Sequence, residues 1–200
     1  MPNIAIFASG GGSNAVNLIN HFNGSSFASV KLLLCNKAEA PVVEKARARN
    51  VETAQIEKQA FYETGETLDF LNEKGIDFII LAGFVWLVPG YIISSYEGRV
   101  INLHPALLPN YGGEGMYGKH VHRAVLANKE EVSGITIHFA NEHYDDGQRI
   151  FQAKCRVLPD EDTAETLAER IKGLEQNYFP VVAESVIRSI YSKGLTEENF

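Results

Sequence analysis

The chain has 200 residues, of which 45% are hydrophobic and 22% charged, and its formal net charge is −7. That balance fits a globular domain able to bury one sizeable core. It argues against a nucleic-acid binder, whose affinity comes from clustered Lys and Arg, and no apolar run is long enough to span a membrane.

The chain opens with "MPNIAIFASGGG", an apolar run with no basic stretch before it, cut short by a glycine turn. A signal peptide needs the reverse, so the expected location is the cytoplasm. Downstream, short runs rich in β-branched and aromatic residues alternate with helix-length stretches, the pattern of parallel strands joined by crossover helices. Strands are expected at Ile4–Ala8, Val30–Cys35, Glu52–Ile56, Phe78–Leu81 and Val100–Leu103. Helices are expected at Asn14–Phe22, Pro41–Arg49 and Glu66–Lys74, with a short turn after Pro89. A glycine-rich loop, Tyr111–Gly118, precedes a helix at His120–Asn128 and two late strands, Gly134–Ala140 and Arg149–Leu158. A last helix is expected from Thr163 to Gly173, on through Tyr178 and, after Pro180, to the chain end. The fold class is α/β: a single domain over residues 1–200, with a mostly parallel doubly wound sheet and flanking helices. Cys35 and Cys155 share no metal-type spacing and are expected as reduced thiols.

Three segments carry polar groups where a packed sheet has no use for them. "ASGGGSN", Ala8–Asn14, follows the first strand; its glycines let backbone N–H groups close on a ligand at the start of a helix, which suits a phosphate. Formally it fits a dinucleotide fingerprint, but the second strand ends in Cys35, Asn36 and Lys37 without the acidic residue a ribose diol wants, so a phosphate monoester fits better. The alternative is a plain turn with Ser13 or Asn14 as N-cap. "NLHPALLPN", Asn102–Asn110, follows the fifth strand, and ligands of open α/β sheets bind beyond such strand ends. Asn102 and His104, two residues apart on extended chain, point to one side and can stabilise an oxyanion and move a proton. "NEHYDDGQ", Asn141–Gln148, reads as a polar turn, and becomes chemically interesting if a carboxylate in it folds back on His104. Phe84 and Trp86, in "AGFVWLVPGY", serve either as core or as walls for a planar ligand. His120, His122 and His138 have no matched partners, and no metal is expected.

Taken together, "SGGGSN", "LAGFVWLVP", "NLHPALLP" and "YDDG", in that order from about Ile4 to Pro180, resemble the phosphoribosylglycinamide formyltransferase family, folate-dependent enzymes of purine synthesis. The resemblance implies direct formyl transfer from 10-formyltetrahydrofolate, a co-substrate, to the amine of glycinamide ribonucleotide, without metal. It implies that Gly12, Ser13 and Asn14 hold the phosphate, that Glu175 lies near the substrate's amine or ribose, and that Val85, Trp86, Leu87 and Val88 line the folate. Asn102, His104 and Asp145 become the catalytic set, with Asn102 also facing the folate.

The chain departs from the family pattern at Thr64 and Trp86, where relatives carry arginines, and in a longer loop at Gly112–His122. Asp145 is followed by Asp146 rather than glycine, so either carboxylate can take the family role. A 10-formyltetrahydrofolate hydrolase would share the fold and the Asn-His-Asp set but carry an added N-terminal domain. A methionyl-tRNA formyltransferase would add a C-terminal one; the chain's ends favour neither. A non-catalytic nucleotide-phosphate binding module is the remaining alternative. Monomer and homodimer are both left open.

Overall fold

The computed structural model describes residues 1–192. A seven-stranded sheet runs in the order β3-β2-β1-β4-β5-β6-β7. Its strands are β1 (Asn3–Ala8), β2 (Ser29–Cys35), β3 (Glu52–Gln55), β4 (Phe78–Leu81), β5 (Val100–His104), β6 (Val132–Phe139) and β7 (Arg149–Arg156). Pairing is parallel from β3 through β5, whereas β6 and β7 pair antiparallel. The helices are α1 (Ser13–Phe22), α2 (Pro41–Arg47), α3 (Glu66–Glu73), α4 (Gly90–Ser95), α5 (Lys119–Ala127) and α6 (Ala164–Tyr191). The α/β, mostly parallel, doubly wound reading therefore holds.

The central strands are apolar along their whole length because both sheet faces are covered. In β1, Ile4, Ile6 and Ala8 pack on one side with α1, α2, α5 and α6; Ala5 and Phe7 pack on the other with Phe61, Leu71 of α3 and Ile92 of α4. Strand order reverses at β1. The chain leaves β1 through α1 toward β2 and returns from β3 to β4 on β1's other edge, so the loops after β1 and β4 open a crevice between them. Ser9 ties those loops together: its N–H donates to Gly83 O at 3.1 Å and its Oγ accepts from Val85 N at 3.0 Å.

Differences from the sequence expectations have local causes. A π-helical turn at Ala60–Thr64, not foreseen, buries Phe61 and leads into α3 through Gly65 in a left-handed conformation. Strand β5 extends to His104, so the proline-rich loop begins one residue later than its composition suggests. Helix α6 runs unbroken through Pro180. A proline there leaves the carbonyl four residues back without its helical donor. That carbonyl belongs to Gln176, and Asn17 Nδ2 of α1 donates to it at 2.8 Å. Residues 193–200, to which the last helix was expected to reach, lie outside the described residues. Helix α6 starts instead from a reciprocal cap between Thr163 and Thr166.

The loop after β5 is stapled to the antiparallel strands. Thr136 Oγ1, fully buried on β6, accepts from Leu108 N at 3.0 Å and donates to Ala106 O at 2.7 Å. Arg149 and Gln152 of β7 both donate to Leu108 O at 3.0 Å. Replacing Thr136 by Val keeps the shape but orphans the Leu108 N–H, so Thr136→Val is expected to lower stability by about 1–3 kcal/mol. Chemical denaturation measures it, as a lower midpoint with unchanged slope.

Candidate active site

A cavity of about 600 Å3 opens at the carboxyl ends of β1, β4 and β5, large enough for a ligand of drug-like size or more. It brings together Ser13, Asn14, Val85, Trp86, Leu87, Val88, Asn102, His104, Asp145 and Glu175, all anticipated from the sequence. Gly12 does not line it. That glycine is the N-cap of α1, at φ 76°, and the Val42 side chain occupies the space a Cβ would need. No side chain caps α1, so the alternative of a plain turn capped by Ser13 or Asn14 is not what forms; the first-turn N–H groups stay available at the cavity wall. Lys172 of α6 lines the same end of the cavity and was not anticipated.

Glu175 and Asn14 form one unit there. Asn14 Nδ2 donates to Glu175 Oε2 at 2.9 Å, while Asn14 Oδ1 is buried without a partner. Burial pushes the Glu175 carboxyl above its ordinary range, and the Asn14 hydrogen bond and Lys172 charge oppose that only in part. This pair accepts hydrogen bonds and waits for a donor.

On the opposite wall Phe84 and Trp86 do both jobs left open by the sequence: they pack against the second core cluster and also line the cavity. The Trp86 ring lies tilted against Phe61 and Tyr62, with centroids 5.7 and 5.8 Å away, and the Tyr62 hydroxyl donates to Leu87 O at 3.1 Å. Thr64, at the end of the π-helical turn, does not reach the cavity lining.

The late turn does fold back, and Asp145 is the carboxylate that meets His104. Asp145 Oδ2 lies 3.3 Å from His104 Nδ1 and accepts from Gly113 N at 3.0 Å. Its Oδ1 accepts from Asn102 Nδ2 at 3.2 Å and lies 3.6 Å from His138 Nε2. Burial alone would raise the Asp145 carboxyl; the hydrogen bond and charge of His104, the neighbouring His138 ring and the Gly113 N–H outweigh it and hold it well below the usual carboxylate range. His104, 3% exposed, sends its other nitrogen, Nε2, to Tyr111 O at 2.7 Å. Both its ring nitrogens thus face acceptors, an arrangement fully satisfied by the doubly protonated ring.

His138 is the residue that sequence reasoning left outside. Antiparallel pairing sets it directly across from Asn102, on the same face of the sheet. Its Nδ1 bonds Phe139 O at 2.8 Å, and its Nε2 lies 3.1 Å from Asn102 Nδ2. The Asn102 amide hydrogens are consequently engaged by Asp145 and His138. His122, buried in the lining, has its Nδ1 without a partner, and burial and the nearby His104 push its pKa down. Loop residues Gly113–Gly118 close one side of the cavity. No cluster of His, Cys, Asp or Glu suited to a metal occurs among the described residues. No helix among them is long and apolar enough to cross a membrane.

An uncapped helix start, an apolar aromatic wall and an Asn-His-Asp set with its imidazole buried lie around one crevice of a doubly wound sheet, the arrangement of a group-transfer site. The formyl transferase family model matches residues 2–183, and the chain belongs to that family. Within it, the chain is 38% identical over 189 residues to the chloroplastic phosphoribosylglycinamide formyltransferase of Arabidopsis thaliana, covering 92% of this chain and 64% of that protein. It is 33% identical to the phosphoribosylglycinamide formyltransferase of Bacillus subtilis (strain 168), covering 94% of this chain and 95% of the relative. The solved phosphoribosylglycinamide formyltransferase from Bacillus halodurans superposes with a TM-score of 0.84 at 32% identity, over 95% of this chain and 97% of the other. The chain spans under two thirds of the length of the plant relative.

Because the folded-state pKa of Asp145 is depressed, its charged form stabilises the protein above the unfolded carboxyl pKa, and that contribution fades as pH falls through the folded value. Asp145→Asn is therefore expected to be less stable than the parent at neutral pH, with the difference shrinking on acidification below the ordinary value of 3.8. Thermal melts across that range read the convergence.

Proposed function

We propose that this chain transfers the formyl group of 10-formyltetrahydrofolate to the amine of glycinamide ribonucleotide, the reaction named by its relatives, as a metal-free cytoplasmic enzyme of purine synthesis. One observation carries the reading: the Asn102, His104 and Asp145 side chains meet on a cavity that has an uncapped helix start on one wall and the Val85–Val88 strip on the other.

Each wall suits one substrate. The first-turn N–H groups of α1, with the Ser13 hydroxyl and the Lys172 ammonium, take the ribonucleotide phosphate. The acceptor pair Asn14 Oδ1 and Glu175 takes donors from its ribose or amine. The strip Val85, Trp86, Leu87 and Val88 is apolar in its side chains yet offers backbone groups, which suits the flat, hydrogen-bonding pterin of the folate. Asn102 faces both substrates at the junction.

Holding the amine beside the formyl carbon removes most of the entropic cost of the encounter. As the amine adds, the formyl oxygen becomes an oxyanion. His104 offsets that charge as the imidazolium kept by Asp145, and one Asn102 N–H moves from His138 to the oxyanion. His104 gives a proton to the folate nitrogen as it leaves and regains one from the attacking amine, so the ring ends in the state in which it began. His138 orients the Asn102 amide. The free Cys35 and Cys155 agree with a reducing compartment.

The deciding assay follows loss of 10-formyltetrahydrofolate with and without glycinamide ribonucleotide. Acceptor-dependent loss is expected; loss without acceptor would make the chain a hydrolase, and no loss would leave a binding module. In the same assay His104→Ala is expected to lower kcat by about 100-fold or more. Changing Ser13 and Asn14 together is expected to raise KM for the ribonucleotide while folate binding stays close to the parent value, as titration calorimetry with the folate would register.

A further inference from the structure

We propose that Tyr111 is a positioning residue for the His104–Asp145 pair, held to that task by Glu130 and Asn128, none of which lines the cavity. The inference rests on the reading of His104 as the proton carrier.

Three consecutive residues grip the pair from one side. The Tyr111 carbonyl accepts from His104 Nε2 at 2.7 Å. The Gly113 N–H donates to Asp145 Oδ2 at 3.0 Å. Between them, a Cβ on Gly112 would press on the side chains of Leu108 and Asp145, so the strip lies close against both. An imidazole anchored at both nitrogens cannot rotate about its own axis, and a shift in this strip moves His104 and Asp145 together.

The strip belongs to no helix or strand, and Tyr111 adopts φ 59°, a left-handed conformation that a bulky residue keeps only when its surroundings impose it. The imposing contact is at the far end of the side chain. The Tyr111 hydroxyl donates to Glu130 Oε1 at 2.7 Å and accepts from Asn128 Nδ2 at 2.9 Å. Asn128 ends α5 and Glu130 lies just before β6, so the anchor stands on a turn between two regular elements. The ring between anchor and carbonyl packs against the main core cluster. Burial and the Glu130 contact both push the phenol pKa up, so the hydroxyl remains a donor at neutral pH. A lever results, with one end fixed outside the cavity and the other set on the catalytic imidazole.

Tyr111→Phe removes the hydroxyl and keeps the ring. Its kcat for formyl transfer is expected to fall about tenfold, with KM for both substrates within about twofold of the parent, as one hydrogen bond acting through geometry would give. Glu130→Ala should reproduce that loss, Glu130→Gln, which still accepts from the phenol, should restore most of kcat, and Tyr111→Phe with Glu130→Ala should be no worse than either alone. A second readout needs no turnover: in protein labelled with 15N-histidine, the slowly exchanging Nε2–H signal of His104 is expected in the parent and Glu130→Gln and lost in Tyr111→Phe. Parent-like or raised kcat in Tyr111→Phe, additive losses in the double variant, or an unchanged His104 signal would each overturn the proposal. If the parent transfers no formyl group, the functional reading fails while the His104 signal still decides this one.

Discussion

A carboxylate taken out of water has to recover from protein the donors it gave up, and Asp145 recovers them from segments far apart in the chain. Asn102 and His104 approach from the end of β5 and Gly113 from the loop that follows, while His138 of β6 holds the Asn102 amide in place. An unpaired buried charge costs several kcal/mol, so each of these segments has to arrive where it does for the others to be tolerated. The late turn, the proline-rich loop and the antiparallel half of the sheet are thereby held to one geometry. Packing alone would leave those loops latitude; the charge does not.

A second constraint lies across the cavity, where α6 meets α1. Pro180 strips the Gln176 carbonyl of its helical donor, and the replacement comes from Asn17, one turn along α1 from Asn14. Asn14 in turn holds Glu175. The proline thus makes α6 depend on α1 at the same level where the two helices present Asn14, Glu175 and Lys172 to the cavity. His21 and Glu184, at 2.7 Å, extend the contact away from the site.

Several local costs lie at or beside the cavity. Tyr111 and Asp145 both take left-handed backbone conformations, and Asn14 Oδ1 and His122 Nδ1 are buried without partners. A protein selected for stability alone would have little reason to keep such groups together. They are explained by a site shaped in advance for ligands that bring the missing donors and acceptors, so that little rearrangement is needed when the reaction begins.

Apolar periodicity placed the strands and most helices to within a few residues, because a chain buried on both sheet faces must be apolar throughout and a helix must carry a stripe. The glycines after β1 and the amide, imidazole and prolines after β5 were legible as a site, since such residues have no use in a packed strand. The π-helical turn was not, because Phe61 and Tyr62 belong equally to an ordinary helix or a loop. How the last helix absorbs Pro180 was not legible either, because the remedy, Asn17, is distant in sequence. The choice of Asp145 over its neighbour, and the entry of His138 into the site, depended on how a long turn folds and on which residues pair across β5 and β6. Register and loop closure are set by contacts between distant segments. The sequence by itself therefore determined which chemistry was carried and on what kind of sheet; only the tertiary structure decided which carboxylate, which second imidazole and which backbone carbonyl surround His104.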